Sequence, residues 1–179
     1  MVGTLVGGGC VGTPRADRPG AVEAEGLPNL ARVDDGLWRS AQPTAAGLAY
    51  AARTLGVRTV LNLRAECRDG DLVAGTGLAL VEVPMVAWKA DDAALASALA
   101  VLSDPSRRPV LVHCQHGRDR TGLVVAAYRR VVSGWSLEAA DAERVATGAD
   151  PFWWPLRRAL WRMDPAATGA GTTNPGTAR

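Results

Sequence analysis

A cysteine and an arginine, Cys114 and Arg120, bracket the part of this chain best suited to covalent chemistry. Between them stand Gln115, His116, Gly117, Arg118 and Asp119, and Thr121 and Gly122 follow. The apolar run Val110-Leu111-Val112 ends at His113, and Leu123 to Tyr128 resumes an apolar pattern suited to a buried helix. The segment therefore predicts a strand, a tight loop and a helix. A loop feeding a helix N-terminus presents unpaired N–H groups and the positive end of the helix dipole, which together attract anions. In such a place, beside a guanidinium, a thiol pKa can fall from roughly 8.5 into the range of about 3.5 to 7.5. Arg120 adds a planar fork of donors that fits two phosphate oxygens as a lysine does not. One loop can thus hold a phosphate through the N–H groups of Gln115, His116, Gly117, Arg118, Asp119 and Arg120, and attack it through Cys114. Gly117 suits a residue at positive φ that turns successive N–H groups inward, and Gly122 lets the helix start pack closely. Thr121 is placed to hydrogen-bond the sulfur and His113 to orient the loop from below.

Those residues carry a resemblance. His113-Cys114-x-x-Gly117-x-x-Arg120-Thr121-Gly122 resembles the signature of the cysteine-dependent protein tyrosine phosphatase superfamily, in its bacterial atypical dual-specificity branch. The resemblance implies an α/β fold, with a central, mostly parallel sheet of four to five strands flanked by helices. It also implies hydrolysis of a phosphate monoester through a phosphocysteine, with no metal or cofactor. Leu37-Trp38-Arg39-Ser40-Ala41-Gln42-Pro43 is similar to the opening hairpin of such phosphatases, where Arg39, Ser40 and Gln42 either line the pocket rim or finish a surface turn. The superfamily keeps a general acid in the loop that here runs from Met85 to Asp92, whose carboxylates are Asp91 and Asp92. One of the two is expected to cap the following helix and the other to act as the acid. Asp91, deeper in the loop, is taken as the acid. Trp88 covers substrate or belongs to the core, and Lys89 assists an anionic substrate. Residues 135–161 resemble, more loosely, the closing helices of the same enzymes, with their aromatics as core and lid-edge packing. Relatives that act on inositol phosphates carry extra lysines or histidine in the loop. Here His116 and Arg118 are opposed by Asp119, which favours a singly phosphorylated group such as phosphotyrosine on a protein. Inositol phosphate or phosphoinositide hydrolysis, and phosphoprotein binding without turnover, are the alternatives.

The elements that must position these groups read as follows. Two short strands surround Asp34-Asp35-Gly36. Thr44 caps a helix from Ala45 to about Leu55, stopped by Gly56, and residues 57–63 form a buried strand. Arg64 and Glu66 follow its carboxyl end, where open α/β sheets place ligand-facing groups. Arg64 braces the phosphate loop or pairs with a surface acid, bracing being preferred. Cys67 is a passive loop cysteine, or an oxidisable partner for Cys114. A helical stretch over 71–74 leads to a strand over 78–84 and a helix from Asp92 to about Leu102. After the central motif, Ser136 caps a helix over 137–146 and a last short helix spans 152–161.

The 179 residues carry a net charge of +2, with 47% hydrophobic and 21% charged residues, which suits one globular domain. Lys89 is the only lysine, and no basic run resembles a nucleic-acid arm. Cys10, Cys67 and Cys114 form no zinc or disulfide pattern. Residues 1–28 are expected as a flexible leader, 29–164 as the catalytic domain and 165–179 as a disordered tail. Leu5 to Cys10 resembles the end of a bacterial lipoprotein signal, which would make Cys10 a lipidation site and the protein periplasmic or lipid-anchored; without an upstream signal it is cytoplasmic. No segment reaches the roughly 20 apolar residues of a membrane span.

Overall fold

The structure is a computed structural model that describes residues 19–66, 68–86, 89, 91–152 and 154–163. Cys10, Cys67, Trp88 and the tail over 165–179 lie outside the described residues. Five strands, β1 (Ala31–Asp34), β2 (Leu37–Ser40), β3 (Thr59–Arg64), β4 (Ala79–Met85) and β5 (Val110–His113), form one sheet in the order β1-β2-β5-β3-β4. β1 runs antiparallel to β2, as the Asp-Asp-Gly turn implies, and the other pairings are parallel. β5 is therefore central, with Leu61 opposite Val112 and Asn62 opposite His113 on β3, and Ser40 opposite His113 on β2.

Side-chain alternation along β3 and β5 divides the core between the two faces. Val60 and Leu111 pack with Leu48 and Ala51 of α1 (Ala45–Arg53) and with Leu27 and Leu30. Leu61, Leu63, Val110 and Val112 pack with residues of α3 (Asp92–Ser103) and α4 (Asp119–Val131) on the opposite face. A short α2 (Gly70–Val73) precedes β4, and α5 (Leu137–Ala146) and α6 (Trp154–Arg162) pack on α4. Thr44 caps α1 by accepting from the Gly47 N–H at 3.1 Å, and Ser136 caps α5 by accepting from Ala139 at 3.2 Å.

Two expectations are corrected by packing. The boundary at residue 28 moves earlier: Leu27 is buried, the Val22 N–H donates to Leu30 O at 2.9 Å, and Arg32 donates to Gly20 O. The reason is a close approach, since a Cβ on Gly47 would stand 2.0 Å from Gly26 O and only glycine admits the segment there. Late in α4, Arg129 pairs with Glu143 at 2.8 Å and lies 4.3 Å over the Trp135 ring. The core part of the packing expected for the last helix's aromatics is not made by the described ones, since Phe152, Trp154 and Trp161 are exposed and Ala159 and Leu160 make the buried face.

Candidate active site

The parallel strands β2, β5, β3 and β4 bring their carboxyl ends to one edge, and the loop from His113 to the start of α4 lies on it. Three successive carbonyls of that loop are held from outside by the first hairpin and the turns on either side of it. Gln115 O accepts from the Gln42 N–H at 3.2 Å, His116 O from Asn29 Nδ2 at 2.9 Å, and Gly117 O from the Arg39 guanidinium at 2.7 Å. Turning carbonyls outward leaves the peptide N–H groups of the same units to the inner side, as an anion nest requires. Gly117 makes the bend at φ 65°, and a Cβ there would meet Ser40 O at 2.5 Å. Arg39 and Ser40 thus do not line a rim or finish a surface turn. They are buried, and Arg39 also donates to Thr147 Oγ1 at 2.8 Å. At the start of α4, a Cβ on Gly122 would approach Arg144 Cγ to 3.1 Å, so the expected close packing is present.

Cys114 is 3% exposed and opens onto a hollow of about 480 Å³ lined by Arg64, Glu66, Cys114, Gln115, His116, Asp119 and Arg120. A larger hollow of about 550 Å³ lies behind Gly117 and Arg39, walled by the segment from Ala21 to Ala31, and does not reach Cys114. Arg120 sits almost wholly inside, its Nη1 and Nη2 each 3.2 Å from one oxygen of Glu66, with Nη1 also donating to Met85 O. Hydrogen bonding from Arg120 holds the Glu66 carboxyl down at about 2. Arg64 reaches Glu66 at 3.4 Å and donates to Gln42 Oε1 at 2.7 Å, so it braces the site and pairs with an acid at once.

From Gln42 the polar chain continues inward. Its Nε2 donates to Asp69 Oδ1 at 3.0 Å, and Asp69 Oδ2 lies 2.8 Å from His113 Nε2, both side chains fully buried. Burial works against the Asp69 anion, yet His113, Gln42 and Arg64 together keep its pKa below the usual aspartate value. His113, expected to orient the loop from below, is thereby held by a buried carboxylate. Asp69 and Asn29 are the supports that sequence reading missed, since both lie far from the motif, and the only signal for Asp69 was its place after the β3 carboxyl end.

Two expectations about side chains fail. Thr121 Oγ1 is buried without a hydrogen-bond partner, so the bond to sulfur is not made. Asp91 is the cap of α3, its carboxylate accepting from Ala93 at 2.9 Å and Ala94 at 3.3 Å, while Asp92 pairs with Arg162 at 2.9 Å. Neither lines the hollow, because the N–H groups of the first helical turn and a nearby guanidinium claim both carboxylates. The carboxylates that do line it are Glu66 and Asp119, the latter accepting from the Asp150 N–H at 2.9 Å.

Comparison with known proteins fits this geometry. A family model described as DSP-PTPase phosphatase fused to NAD+ kinase matches residues 23–151. The chain belongs to the DSP-PTPase family. Within that family it is 44% identical over 119 residues to the dual specificity protein phosphatase TpbA of Pseudomonas aeruginosa, covering 64% of this chain and 52% of that protein. It is 29% identical over 121 residues to the inositol diphosphatase DSP4 of Arabidopsis thaliana, covering 62% of this chain and 59% of the relative. The chain therefore spans a little over half the length of these curated relatives. Among solved structures, P. aeruginosa TpbA with a cysteine replaced by serine, in complex with phosphotyrosine, superposes with a TM-score of 0.73. It is 31% identical, and the match covers 89% of this chain and all of that one. The DSP-PTPase fold expected from the motif, mostly parallel and flanked by helices, is the one observed.

Proposed function

We propose that this DSP-PTPase chain hydrolyses phosphate monoesters through a phosphocysteine, acting on phosphotyrosine or other phosphorylated side chains of proteins. The observation that carries this reading is the shared hollow: Cys114 and Arg120 line it together, over a loop whose carbonyls are tied outward. Cys114 thiolate attacks phosphorus, the inward N–H groups and Arg120 hold the oxygens, and the ester oxygen leaves with a proton. Water then cleaves the S–P bond, releasing inorganic phosphate and restoring the thiolate. The two terminal nitrogens of Arg120 that fit a phosphate are forked onto Glu66, which a bound dianion must share or displace. That carboxylate stays ionised, so it is a poor proton donor. Asp119, the other carboxylate of the hollow and paired with a backbone N–H alone among the described residues, takes the role of acid in place of Asp91 or Asp92.

The lining also bears on substrate class. Arg64, Arg120 and His116 face Glu66 and Asp119, a near balance of charge that suits one phosphate better than several. The inositol diphosphatase relatives keep hydrolysis of inositol phosphates as the second reading. Cys114→Ser is expected to lower p-nitrophenyl phosphate turnover by more than about 10³-fold, with the circular dichroism spectrum and melting temperature kept. Persistent turnover in that variant rules out covalent catalysis. Loss of the basic limb of the pH–rate profile in Asp119→Asn, with a larger loss for phenyl than for p-nitrophenyl phosphate, checks the acid; equal losses exclude it.

A further inference from the structure

Three of the exposed aromatics, Phe152, Trp154 and Trp161, lie on α6 or just before it. Trp154, Arg157, Arg158 and Trp161 recur at helical spacing on the outer face of α6, opposite Ala159 and Leu160, which are 1% and 0% exposed. Phe152, 79% exposed, precedes Trp154 at 60% and Trp161 at 49%. Between the two indoles lies the Arg157 guanidinium, 5.7 Å from the Trp154 ring centre and 4.9 Å from that of Trp161, held by Asp141 at 3.1 Å. Large aromatics left in water beside an arginine have the composition of an interface core.

Both ends of this strip are tied to the segments that begin at the active-site edge. Before α6, the Asp150 N–H donates to Asp119, which lines the hollow with Cys114, and Asp150 Oδ1 accepts from the Phe152 N–H at 2.7 Å. At the other end, Arg162 donates to Asp92 at the start of α3, just beyond the carboxyl end of β4. α6 therefore runs alongside the edge from which a substrate reaches Cys114. Of its cations, Arg157 shares Asp141 with Arg144 and Arg162 pairs with Asp92, which leaves Arg158 alone without an ion pair among the described residues, short of a basic cluster. An anionic lipid surface calls for uncompensated cations, and an inositol phosphate brings no apolar flank. A polypeptide brings apolar side chains and a backbone.

We infer that the Phe152-Trp154-Arg157-Trp161 strip is a docking ridge for the polypeptide that flanks the phosphorylated residue of a protein substrate. The inference rests on the phosphatase reading and narrows it to protein substrates. Aromatic anchors contribute through burial of their faces against the peptide, so their loss weakens binding and leaves the chemical step untouched. The test uses the full chain and its Phe152→Ser, Trp154→Ala and Trp161→Ala variants, with kcat and KM measured on a tyrosine-phosphorylated peptide bearing apolar flanks and on p-nitrophenyl phosphate. At least one tryptophan variant is expected to raise the peptide KM about tenfold, with kcat for the peptide and both constants for p-nitrophenyl phosphate unchanged. Peptide KM values unchanged in all three folded variants overturn the ridge, as does wild-type sedimentation with phosphatidylglycerol vesicles that the variants lose, or a wild-type dimer that they dissociate. A wild-type protein inert toward p-nitrophenyl phosphate instead overturns the phosphatase reading, so the two failures are told apart.

Discussion

Two partly buried polar networks sit at opposite edges of the sheet, and they are built to different ends. At the amino edge, Asp34 accepts from Arg108, from the Tyr128 hydroxyl at 2.7 Å and from the Gly36 N–H at 2.8 Å, and Arg108 also donates to Tyr128. That cluster is internally matched, one carboxylate against one guanidinium and a phenol, and it locks the first hairpin to the end of α4. At the carboxyl edge, the chain from His113 through Asp69, Gln42, Arg64 and Glu66 to Arg120 is left open. Thr121 Oγ1 and His113 Nδ1 are buried without partners, and the carboxylate on Arg120 is half exposed. A satisfied buried network stabilises a fold, whereas one with spare capacity beside Cys114 has bonds still to make.

The comparison can be broken most forcefully at Arg120. Arg120→Lys keeps the charge but loses the fork, and kcat/KM for p-nitrophenyl phosphate is expected to fall about 10²- to 10³-fold while the melting temperature moves little. Unchanged turnover would make the carboxyl-edge network merely structural. At the other edge the pattern reverses. Tyr128→Phe leaves Asp34 and Arg108 short of a partner and is expected to cost about 1 to 2 kcal/mol, read as a lower denaturation midpoint, with kcat and KM intact. The smallest effect belongs to Glu66→Gln. Because the folded pKa of Glu66 is lowered from 4.5 to about 2, its contribution to stability is present above pH 4.5 and is lost as pH falls through 2. Its side chain is 51% exposed, so screening holds the difference from wild type to about 0 to 1 kcal/mol at pH 7. Urea titrations at pH 7 and pH 2.5 should show that difference shrinking; a difference that grows toward acid would refute the assignment of the pair.

The fold was legible because local signals and burial agree. Val110 to Val112, and Val60, Leu61 and Leu63, put apolar side chains on both faces, and β5 and β3 are covered on both faces. Thr44, Ser136 and Gly117 act locally, through caps and a positive φ, so their roles follow from the residues beside them. The site was legible where it is contiguous, at Cys114, Arg120 and the loop between them. Its supports were hidden because they come from afar: Arg39, Asn29 and Asp69 meet the loop only through the sheet order. Asp91 was misread because a carboxylate before a helix serves equally well as cap or acid, and only coordinates show which hydrogen bonds it makes. The aromatics of α6 were divided between core and lid-edge packing because hydrophobicity alone does not say which face of a short helix is covered.

The outward tethering of Gln115, His116 and Gly117 by Gln42, Asn29 and Arg39 has a consequence for how far this motif can travel. Transplanted into another strand-loop-helix scaffold without the segment from Asn29 to Gln42, the loop would keep its cysteine and arginine but nothing would fix its peptide planes. The unit of inheritance for this chemistry is the motif together with the hairpin that precedes it by more than seventy residues.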